Sequence, residues 1–222
     1  MTKRAKALAR NQNTDHLNQS ALYIACTGGG KSQCLSQNKS IPKSGARVFL
    51  WDPDHDHKST LIAGKVAFKR AMIAAIKSGR GFRLSFVSEA GSIDDFEWFC
   101  NIVWAALDGN KKTYVFIEEL ASVTETASKA TKNFGRLLNR GRKYGAKLHI
   151  TTQRGSEISK TAYIQCQNTY IGIQRGNDIK KMAEKGGVSV QQIIGLKPLE
   201  FWFSDGGATS TKHVVKYKKV IK

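Results

Sequence analysis

The chain has 222 residues, of which 41% are hydrophobic, which is enough for one well-buried core and too little for two. Its 36 lysines and arginines against 17 aspartates and glutamates give a formal net charge of +19. A surface this positive favours a polyanionic partner such as nucleic acid, because basic groups displace the counterions condensed on phosphates. A charge that serves only solubility is usually smaller and more mixed in sign.

The four cysteines do not match a disulfide framework or a zinc site, because none of them forms a C-x-x-C pair. We expect reduced, mostly buried thiols in a cytosolic protein. No apolar run approaches the roughly 20 residues that span a bilayer, and no signal-peptide pattern opens the chain. The sequence therefore predicts a protein with no transmembrane segment of its own.

Residues 1–20 are basic and amide-rich and carry few large apolar side chains. This composition predicts a basic N-terminal arm that is poorly ordered or forms an early helix lying on the body. Contact with DNA or with a neighbouring subunit and a purely solvated tail are both open at this stage. Residues 21–222 are predicted to form one domain.

The first predicted strand, Leu22–Ala25, leads into a segment that reads C-T-G-G-G-K-S-Q over residues 26–33. Consecutive glycines let backbone N–H groups approach phosphate oxygens, so the segment is typical of a P-loop. A glycine-rich turn that carries a lysine by chance is the alternative. The residues predicted to bind a nucleotide are Cys26, Thr27, Gly28, Gly29, Gly30, Lys31, Ser32 and Gln33.

Two of these residues have specific predicted roles. Lys31 would reach the β- and γ-phosphates, Ser32 would hold Mg²⁺, and a helix that starts at Lys31 would point its N-terminus at the anion. The usual pattern has glycine where this chain has Ala25. That position lies at the strand exit, away from the glycines that line the phosphates, so alanine is an acceptable replacement.

A second apolar run, Ala46–Trp51, predicts a strand that ends at Asp52-Pro53, where proline stops the hydrogen-bonded ladder. Aspartate and histidine alternate over residues 52–57, as in some metal sites. Alternate residues of an extended segment project to one side and cannot enclose an ion, so a dedicated metal site is not predicted. Asp52 or Asp54 is instead expected to support Mg²⁺ from outside its coordination shell.

The next elements are a helix around Lys69–Lys77 and a strand at Phe82–Val87. Ser92 is a candidate N-cap for a further helix, in which large apolar side chains recur at helical spacing as far as Gly109. We expect these side chains to form core rather than a ligand platform.

Two glutamates follow the continuous apolar strand Thr113–Ile117, in the form of a Walker B motif. Such a strand delivers its carboxylates to the carboxyl edge of the sheet, beside the P-loop. Glu118 is predicted to organise Mg²⁺ and its waters, and Glu119 to polarise the attacking water. The motif usually has aspartate first, so the longer Glu118 leaves the division of roles between the two acids open.

A long helix is predicted over Thr126–Tyr144, and its end carries Arg136, Arg140 and Arg142. An arginine that enters a neighbouring subunit's site can neutralise the charge that develops on a transferred phosphoryl group. Arg142 is the first candidate for such an arginine finger and Arg140 the second. A solvated basic helix end, stabilised by the helix dipole, is the alternative for each of them.

Gln153 ends the next predicted strand, Lys147–Thr152, where its amide can donate to a γ-phosphate and accept from a water. It is predicted to be a sensor of the bound nucleotide. Further strands are predicted at Asn168–Gln174 and Leu199–Ser204. Strands spaced by helices predict right-handed β-α-β units, and therefore an α/β fold with a mostly parallel sheet and helices on both faces.

As a set, these motifs resemble the FtsK-HerA superfamily of DNA-pumping ATPases. The resemblance rests on the T-G-G-G-K-S loop, the Trp51-Asp52-Pro53 strand exit, the two-acid Walker B motif, and the run R-G-R-K-Y-G that leads into I-T-T-Q-R. It covers about residues 21–205. The short build is similar to the genome-packaging ATPases of tailless icosahedral phages with an internal membrane.

The resemblance implies a RecA-like P-loop core with strand order 5-1-4-3-2 and a homohexameric ring that binds ATP and Mg²⁺ between subunits. Double-stranded DNA would pass through the pore and be gripped by its backbone, independently of sequence. Candidates for the grip are the basic segments Lys65–Arg83 and Lys129–Lys132. The run Lys212–Lys222 is expected to form an edge strand whose lysines discourage association, with a DNA contact as the second possibility.

The function that the resemblance implies is an ATP-driven double-stranded DNA translocase that packages a viral genome into a preformed capsid. It would act at the packaging vertex of the virion and in the host cytoplasm, beside capsid-vertex or internal-membrane proteins. The first alternative is another motor, of the FtsK/HerA, conjugation or filamentous-phage-assembly type. The second is a nucleotide-dependent scaffold that assembles on DNA or membrane without pumping.

Overall fold

Nine strands form one sheet over residues 11–219, the part of the chain that the computed structural model describes. The strands are β1 (Ala21–Ile24), β2 (Arg47–Trp51), β3 (Thr60–Ala63), β4 (Phe82–Val87), β5 (Thr113–Ile117), β6 (Ala146–Thr152), β7 (Asn168–Ile171), β8 (Glu200–Ser204) and β9 (Thr211–Val214). Across the sheet they lie in the order β3-β4-β2-β5-β6-β1-β7-β8-β9.

Helices connect most of these strands. The α-helices are α1 (Lys31–Ser36), α2 (Lys65–Lys77), α3 (Ile93–Ala106), α4 (Lys132–Arg140), α5 (Lys160–Gln165), α6 (Asp178–Gly186) and α7 (Val190–Ile194). Short 3-10 turns occur at Leu120–Val123, Gly141–Tyr144 and Gly155–Glu157.

The central strands have the predicted RecA-like order. β2, β5, β6, β1 and β7 pair in parallel, and their order reads 5-1-4-3-2 when β5, β6 and β7 are counted as the third, fourth and fifth core strands. β4 and β3 extend the parallel sheet beyond β2, and β8 and β9 add an antiparallel edge beyond β7. The predicted α/β fold with a mostly parallel sheet is confirmed.

Apolar side chains cover both faces of the sheet. Successive residues of β1 point to opposite faces, so Leu22 joins one buried cluster and Tyr23 the other. Helices α2, α3 and α4 pack on the first face, and α1 contributes Leu35 to the second. Every residue of β1, β2, β5 and β6 is buried, which is why β1 and β5, and β2 after its first residue, are nearly continuous apolar runs in the sequence.

Helix α3 follows its predicted pattern. The Ser92 side chain caps it by accepting the N–H of Asp95, and its predicted core residues Phe96, Phe99 and Val103 are buried. The four cysteines are free thiols, and three of them are buried: Cys34, Cys100 and Cys166.

The predicted long helix over Thr126–Tyr144 is wrong. Helix α4 begins only at Lys132 and ends at Arg140, and most of the preceding segment 124–131 is exposed. Hydroxyl groups compete with helix formation there, since Thr124 Oγ1 donates to the Leu120 carbonyl at 2.8 Å. The start of α4 is set from outside the segment: the Glu97 carboxylate accepts the N–H groups of Asn133 and Phe134 at 2.7 and 3.0 Å.

Both edges of the sheet differ from the prediction. Strand β3 was not predicted, because its three consecutive apolar residues are too short a run to identify this mostly exposed edge strand. At the other edge, β9 ends at Val214, so only the start of the run predicted as an edge strand is a strand. Beyond it the Val215 N–H donates to the Leu199 carbonyl at 3.0 Å, which continues the pairing register of β8 and β9 by one residue before the regular strand ends. Residues 220–222 of that run lie outside the described residues.

Residues 11–20 lie on the body without forming a helix, whereas residues 1–10 of the predicted arm lie outside the described part of the chain. The segment is held by main-chain contacts: Asn13 N–H donates to the Lys143 carbonyl at 2.8 Å, and Lys147 Nζ donates to the Leu17 carbonyl. Within residues 11–219, no helix is both long and apolar enough to cross a membrane.

Candidate active site

The carboxyl ends of β5, β6 and β1 meet at one edge of the sheet, because β6 pairs in parallel with both neighbours. The glycine loop, the two glutamates and Gln153 therefore leave adjacent strands side by side. A cavity of about 740 Å³ lies at this edge. Its lining residues are Thr27, Gly28, Gly30, Lys31, Ser32, Gln33, Asp54, Asp56, Glu118, Glu119, Gln153, Pro198, Leu199, Tyr217 and Lys219.

The loop needs glycines for two reasons: a left-handed backbone at two positions and a close approach to Ala25 at a third. Gly28 and Gly30 have φ values of 78° and 96°, in the left-handed region that favours glycine. Gly29 is needed for close approach, because a Cβ on it would lie 2.8 Å from the Cβ of Ala25. Ala25 is fully buried behind the loop, so its methyl group replaces the usual glycine without entering the cavity.

Leu199 supports the loop from the far side and was missed in the sequence. Its N–H donates to the Gly29 carbonyl at 3.1 Å, and a Cβ on Gly30 would lie 2.6 Å from Leu199 Cδ2. Leu199 itself has a φ of 70°, which is unusual for a residue with a large side chain. No sequence motif marks such a residue, because its role comes only from the folding of β8 against the loop.

Gln153 joins the loop to the glutamates. Thr27 Oγ1 donates to Gln153 Oε1 at 2.6 Å, and the Gln153 N–H donates to Glu119 Oε1 at 2.9 Å. Glu119 has a left-handed backbone with a φ of 51°, and its own N–H donates to Thr151 Oγ1 at 3.1 Å. Strained backbone of this kind often occurs at functional sites. The three predicted catalytic elements are thus connected by direct hydrogen bonds.

Glu118 is buried and both of its carboxylate oxygens are engaged. It accepts a hydrogen bond from His57 Nε2 at 2.5 Å and another from Thr151 Oγ1. Burial opposes a charge on His57, but the nearby carboxylates of Glu118 and Asp52 outweigh it and hold the pKa of His57 above its ordinary value. The sequence indicated Glu118 but not His57, which reaches it from the loop after β2.

Asp52 holds that loop in place. Its carboxylate accepts the N–H groups of Asp56 and His57, both at 2.9 Å, and burial raises the pKa of this carboxyl group above its usual value. Asp56 is consequently aimed at the P-loop, where Ser32 Oγ donates to its Oδ2 at 2.8 Å. Asp54 lines the cavity as well. Asp56 was not among the predicted residues, although it is the aspartate that contacts Ser32.

The oxygen groups in the cavity are of the kind that Mg²⁺ accepts. No group of three or more His, Cys, Asp or Glu side chains within residues 11–219 is arranged to hold a metal by itself. Mg²⁺ does not need one, because it is usually bound through one or two protein oxygens together with phosphates and waters. Ser32 with Asp56 fits that pattern, whereas the predicted ligand Glu118 is engaged with protein donors.

The candidate finger arginines lie at the opposite edge of the sheet. Arg142 precedes β6 and Gln153 follows it, and the 7 residues of this strand span about 23 Å. Arg142 Nη1 donates to the carbonyls of Thr14 and His16 at 3.1 and 2.7 Å, and the Arg140 guanidinium lies over the Trp104 ring. Neither arginine reaches the cavity of its own chain, so a role in a neighbour's site stays a prediction.

A second cavity, of about 610 Å³, borders the first and shares Thr27 and Gln153 with it. It was not foreseen from the sequence. Arg154, Arg175 and Lys181 contribute positive charge to its lining.

None of the protein-family models searched matches the chain. Protein P9 of Pseudoalteromonas phage PM2 is 30% identical over 203 residues, which cover 89% of this chain and 90% of that protein.

Two solved structures illustrate the fold. The genome packaging NTPase B204 from Sulfolobus turreted icosahedral virus 2, in complex with AMPPCP, has a TM-score of 0.74 at 14% identity and covers 90% of this chain and 99% of its own. The bacterial conjugative coupling protein TrwBdeltaN70 has a TM-score of 0.63 at 12% identity and covers 97% of this chain and 90% of its own. This chain therefore belongs to the family of Protein P9 of phage PM2, and the fold that the predicted resemblance implied is confirmed by its likeness to B204 and TrwBdeltaN70.

Proposed function

We propose that this chain binds ATP and Mg²⁺ at the cavity and hydrolyses ATP to drive double-stranded DNA into a preformed viral capsid. The observation that carries the proposal is the hydrogen-bonded series Thr27–Gln153–Glu119, which connects the P-loop to the Walker B acids at one cavity. Related folds support it: B204 structures were solved with AMPPCP and ATP-gammaS, and B204 is described as a DNA-packaging ATPase.

In this proposal the glycine loop and Lys31 bind the phosphates. The left-handed glycines expose backbone N–H groups to an anion, and Lys31 adds a positive charge to the same wall of the cavity. Ser32 would hold Mg²⁺, with Asp56 accepting from its hydroxyl group and fixing its direction. When bound, Mg²⁺ supplies positive charge at the β- and γ-phosphate oxygens.

Glu119 is the group that we assign to the attacking water. Its Oε1 is held by the Gln153 N–H, which orients the carboxylate beside the cavity. From there it can accept a proton from the water. Glu118 is the second acid at this edge. Its contacts with His57 and Thr151 hold the loop after β2 and strand β6 together beneath the cavity.

Coupling to DNA rests on charge. The exposed residues Lys129 and Lys132 lie in and beside the loop that precedes α4, and α2 exposes Lys65, Lys69, Arg70 and Lys77. Side chains of this type contact the phosphate backbone without reading bases. We propose that they grip DNA in the pore of a homohexamer, in which Arg140 or Arg142 completes a neighbour's site at the packaging vertex.

The decisive experiment measures ATP hydrolysis with and without linear duplex DNA, together with displacement of a triplex-forming oligonucleotide. We expect DNA to stimulate the wild-type protein, whereas Lys31→Ala and Glu119→Gln abolish both activities. Lys39→Ala, at an exposed lysine beyond α1, is the matched control and should behave like wild type. Unchanged hydrolysis by Lys31→Ala would refute the proposal, and ATP binding without displacement would favour the scaffold.

A further inference from the structure

The chain beyond β9 runs alongside α1, the helix that follows the P-loop. This segment begins at Val215, which is buried and whose N–H donates to the Leu199 carbonyl at 3.0 Å. Leu199 in turn donates to the Gly29 carbonyl. We call residues 215–219 the tail. Its first residue is thus connected to the P-loop through a single residue.

Two glutamines hold the tail backbone: Gln33 in α1 and Gln37 at its carboxyl end. Gln33 Nε2 donates to the Lys218 carbonyl at 2.7 Å, and the Lys218 N–H donates to Gln33 Oε1 at 2.9 Å. This amide therefore pairs with the tail in both directions, as a neighbouring strand would. Gln37 Nε2 donates to the Lys216 carbonyl at 2.7 Å. The residues on both sides of Tyr217 are consequently fixed to the helix that carries Lys31 and Ser32.

Tyr217 is 72% exposed, yet its backbone is held on both sides and its side chain lines the 740 Å³ cavity. Pro198 and Leu199 line the same cavity and add apolar surface. Lys31 and the acidic groups Asp56 and Glu119 also line it. The cavity therefore combines a charged part suited to phosphates and a metal with an aromatic and apolar part.

We propose that Tyr217 is the platform on which the base of the bound nucleotide stacks, which makes the tail a wall of the nucleotide site. This inference rests on the proposed ATP binding and adds the group that recognises the base. Aromatic stacking uses the face of the base, which every nucleobase has, and is worth a substantial part of the binding energy. We therefore expect GTP to bind nearly as well as ATP.

The test compares ATP with inorganic tripolyphosphate, which offers the phosphates without a base. Isothermal titration calorimetry with Tyr217→Ala should show ATP affinity reduced about 10-fold, the size expected for one base–aromatic stack. Tripolyphosphate affinity should not change. Tyr217→Phe keeps the ring and should bind both ligands like wild type. Lys216→Ala changes an exposed neighbour that does not line the cavity and is the matched control.

The outcomes separate this inference from the function on which it rests. Wild-type ATP affinity in Tyr217→Ala would overturn the platform, and so would an equal loss of ATP and tripolyphosphate affinity. The proposed function fails instead if Lys31→Ala leaves the binding of both ligands unchanged. Folding does not obscure the result, because an exposed tyrosine contributes little to the core.

Discussion

Thr27 of the glycine loop donates a hydrogen bond to Gln153 at the end of β6, with 2.6 Å between Thr27 Oγ1 and Gln153 Oε1. The two residues are far apart in the sequence and meet because β1 and β6 are parallel neighbours. The backbone N–H of the same glutamine donates a hydrogen bond to Glu119 Oε1. A change at the phosphates can therefore be transmitted to the group that handles the attacking water.

Removing this connection should slow hydrolysis more than it weakens nucleotide binding. Gln153→Ala deletes the acceptor of Thr27, and we expect kcat to fall about 100-fold, the lower end of the loss seen when one positioned polar group is removed. KM for ATP should change little, because Lys31 and the loop backbone remain. Steady-state ATPase assays measure both, with Gln167→Ala, at an exposed glutamine on the far side of β7, as control. A rise in KM with unchanged kcat would contradict this role.

The buried pair of His57 and Glu118 should matter mainly for stability. His57→Ala leaves the buried Glu118 carboxylate with the Thr151 hydroxyl but without its charged partner, and breaking such a pair costs about 3 to 5 kcal/mol. His57→Gln keeps an N–H donor and should cost less. Urea unfolding measures the free energy of unfolding for both variants. Equal losses in the two variants would show that the lost packing of the ring, and not the unpaired carboxylate, is responsible.

The core of the fold was predictable because its strands are buried on both faces. β4 and β5 have the predicted bounds, and the Ser92 cap with the helical spacing of the apolar residues after it correctly predicted α3. The edge strand β3 and the loop before α4 were not predictable in the same way. Their conformations are set by pairing with β4 and by the distant side chain of Glu97, which no local pattern records.

The same distinction applies to the candidate site: residues that follow core strands were predictable, and residues from other segments were not. Lys31, Glu119 and Gln153 could be placed in advance, because Glu119 and Gln153 lie just after buried strands, Lys31 follows β1 through the recognisable glycine loop, and parallel neighbours end at one edge. Asp56 and Tyr217 could not, because they reach the cavity from a loop and from the tail. Their positions depend on Asp52 and on the glutamines of α1, respectively.

Asp56 should set the Mg²⁺ requirement of nucleotide binding. Its carboxylate accepts from Ser32, so Asp56→Ala should weaken the hold on the ion and raise the Mg²⁺ concentration needed for half-maximal binding of a fluorescent ATP analogue several-fold. Asp54→Ala removes a cavity aspartate of the same loop and serves as the control for lost negative charge. An equal effect of the two variants would assign the result to charge alone.

Arg142 and Arg140 can be separated by their contacts. Arg142 binds the carbonyls of Thr14 and His16, so Arg142→Ala should release the N-terminal segment and speed hydrogen exchange over residues 13–18. Arg140→Ala should leave that exchange unchanged. If Arg142 is also the finger, mixing the variant with wild type should lower ATP hydrolysis. Faster exchange with full activity would restrict Arg142 to its structural contacts and leave Arg140 as the candidate.

Lys147 should make stability depend on alkaline pH. Its side chain is fully buried, and burial, with the nearby charges of Lys112 and Arg142, lowers the pKa of this amine from 10.5 to about 8. Below pH 8 the amine is charged in the folded and unfolded states alike, so the burial of its charge destabilises the folded protein by the full amount. Between pH 8 and 10.5 the folded protein loses this proton first, which relieves the cost and raises the contribution of Lys147 to stability.

Lys147→Met isolates this effect from other groups that titrate in the same range. The free energy of unfolding of the variant minus that of wild type should fall by about 3 kcal/mol from pH 8 to 10.5, because each step of one in pKa corresponds to about 1.4 kcal/mol. Urea unfolding across this range measures the difference at each pH. A difference that stays constant would mean that the amine keeps its ordinary pKa in the folded protein, which contradicts the lowered pKa.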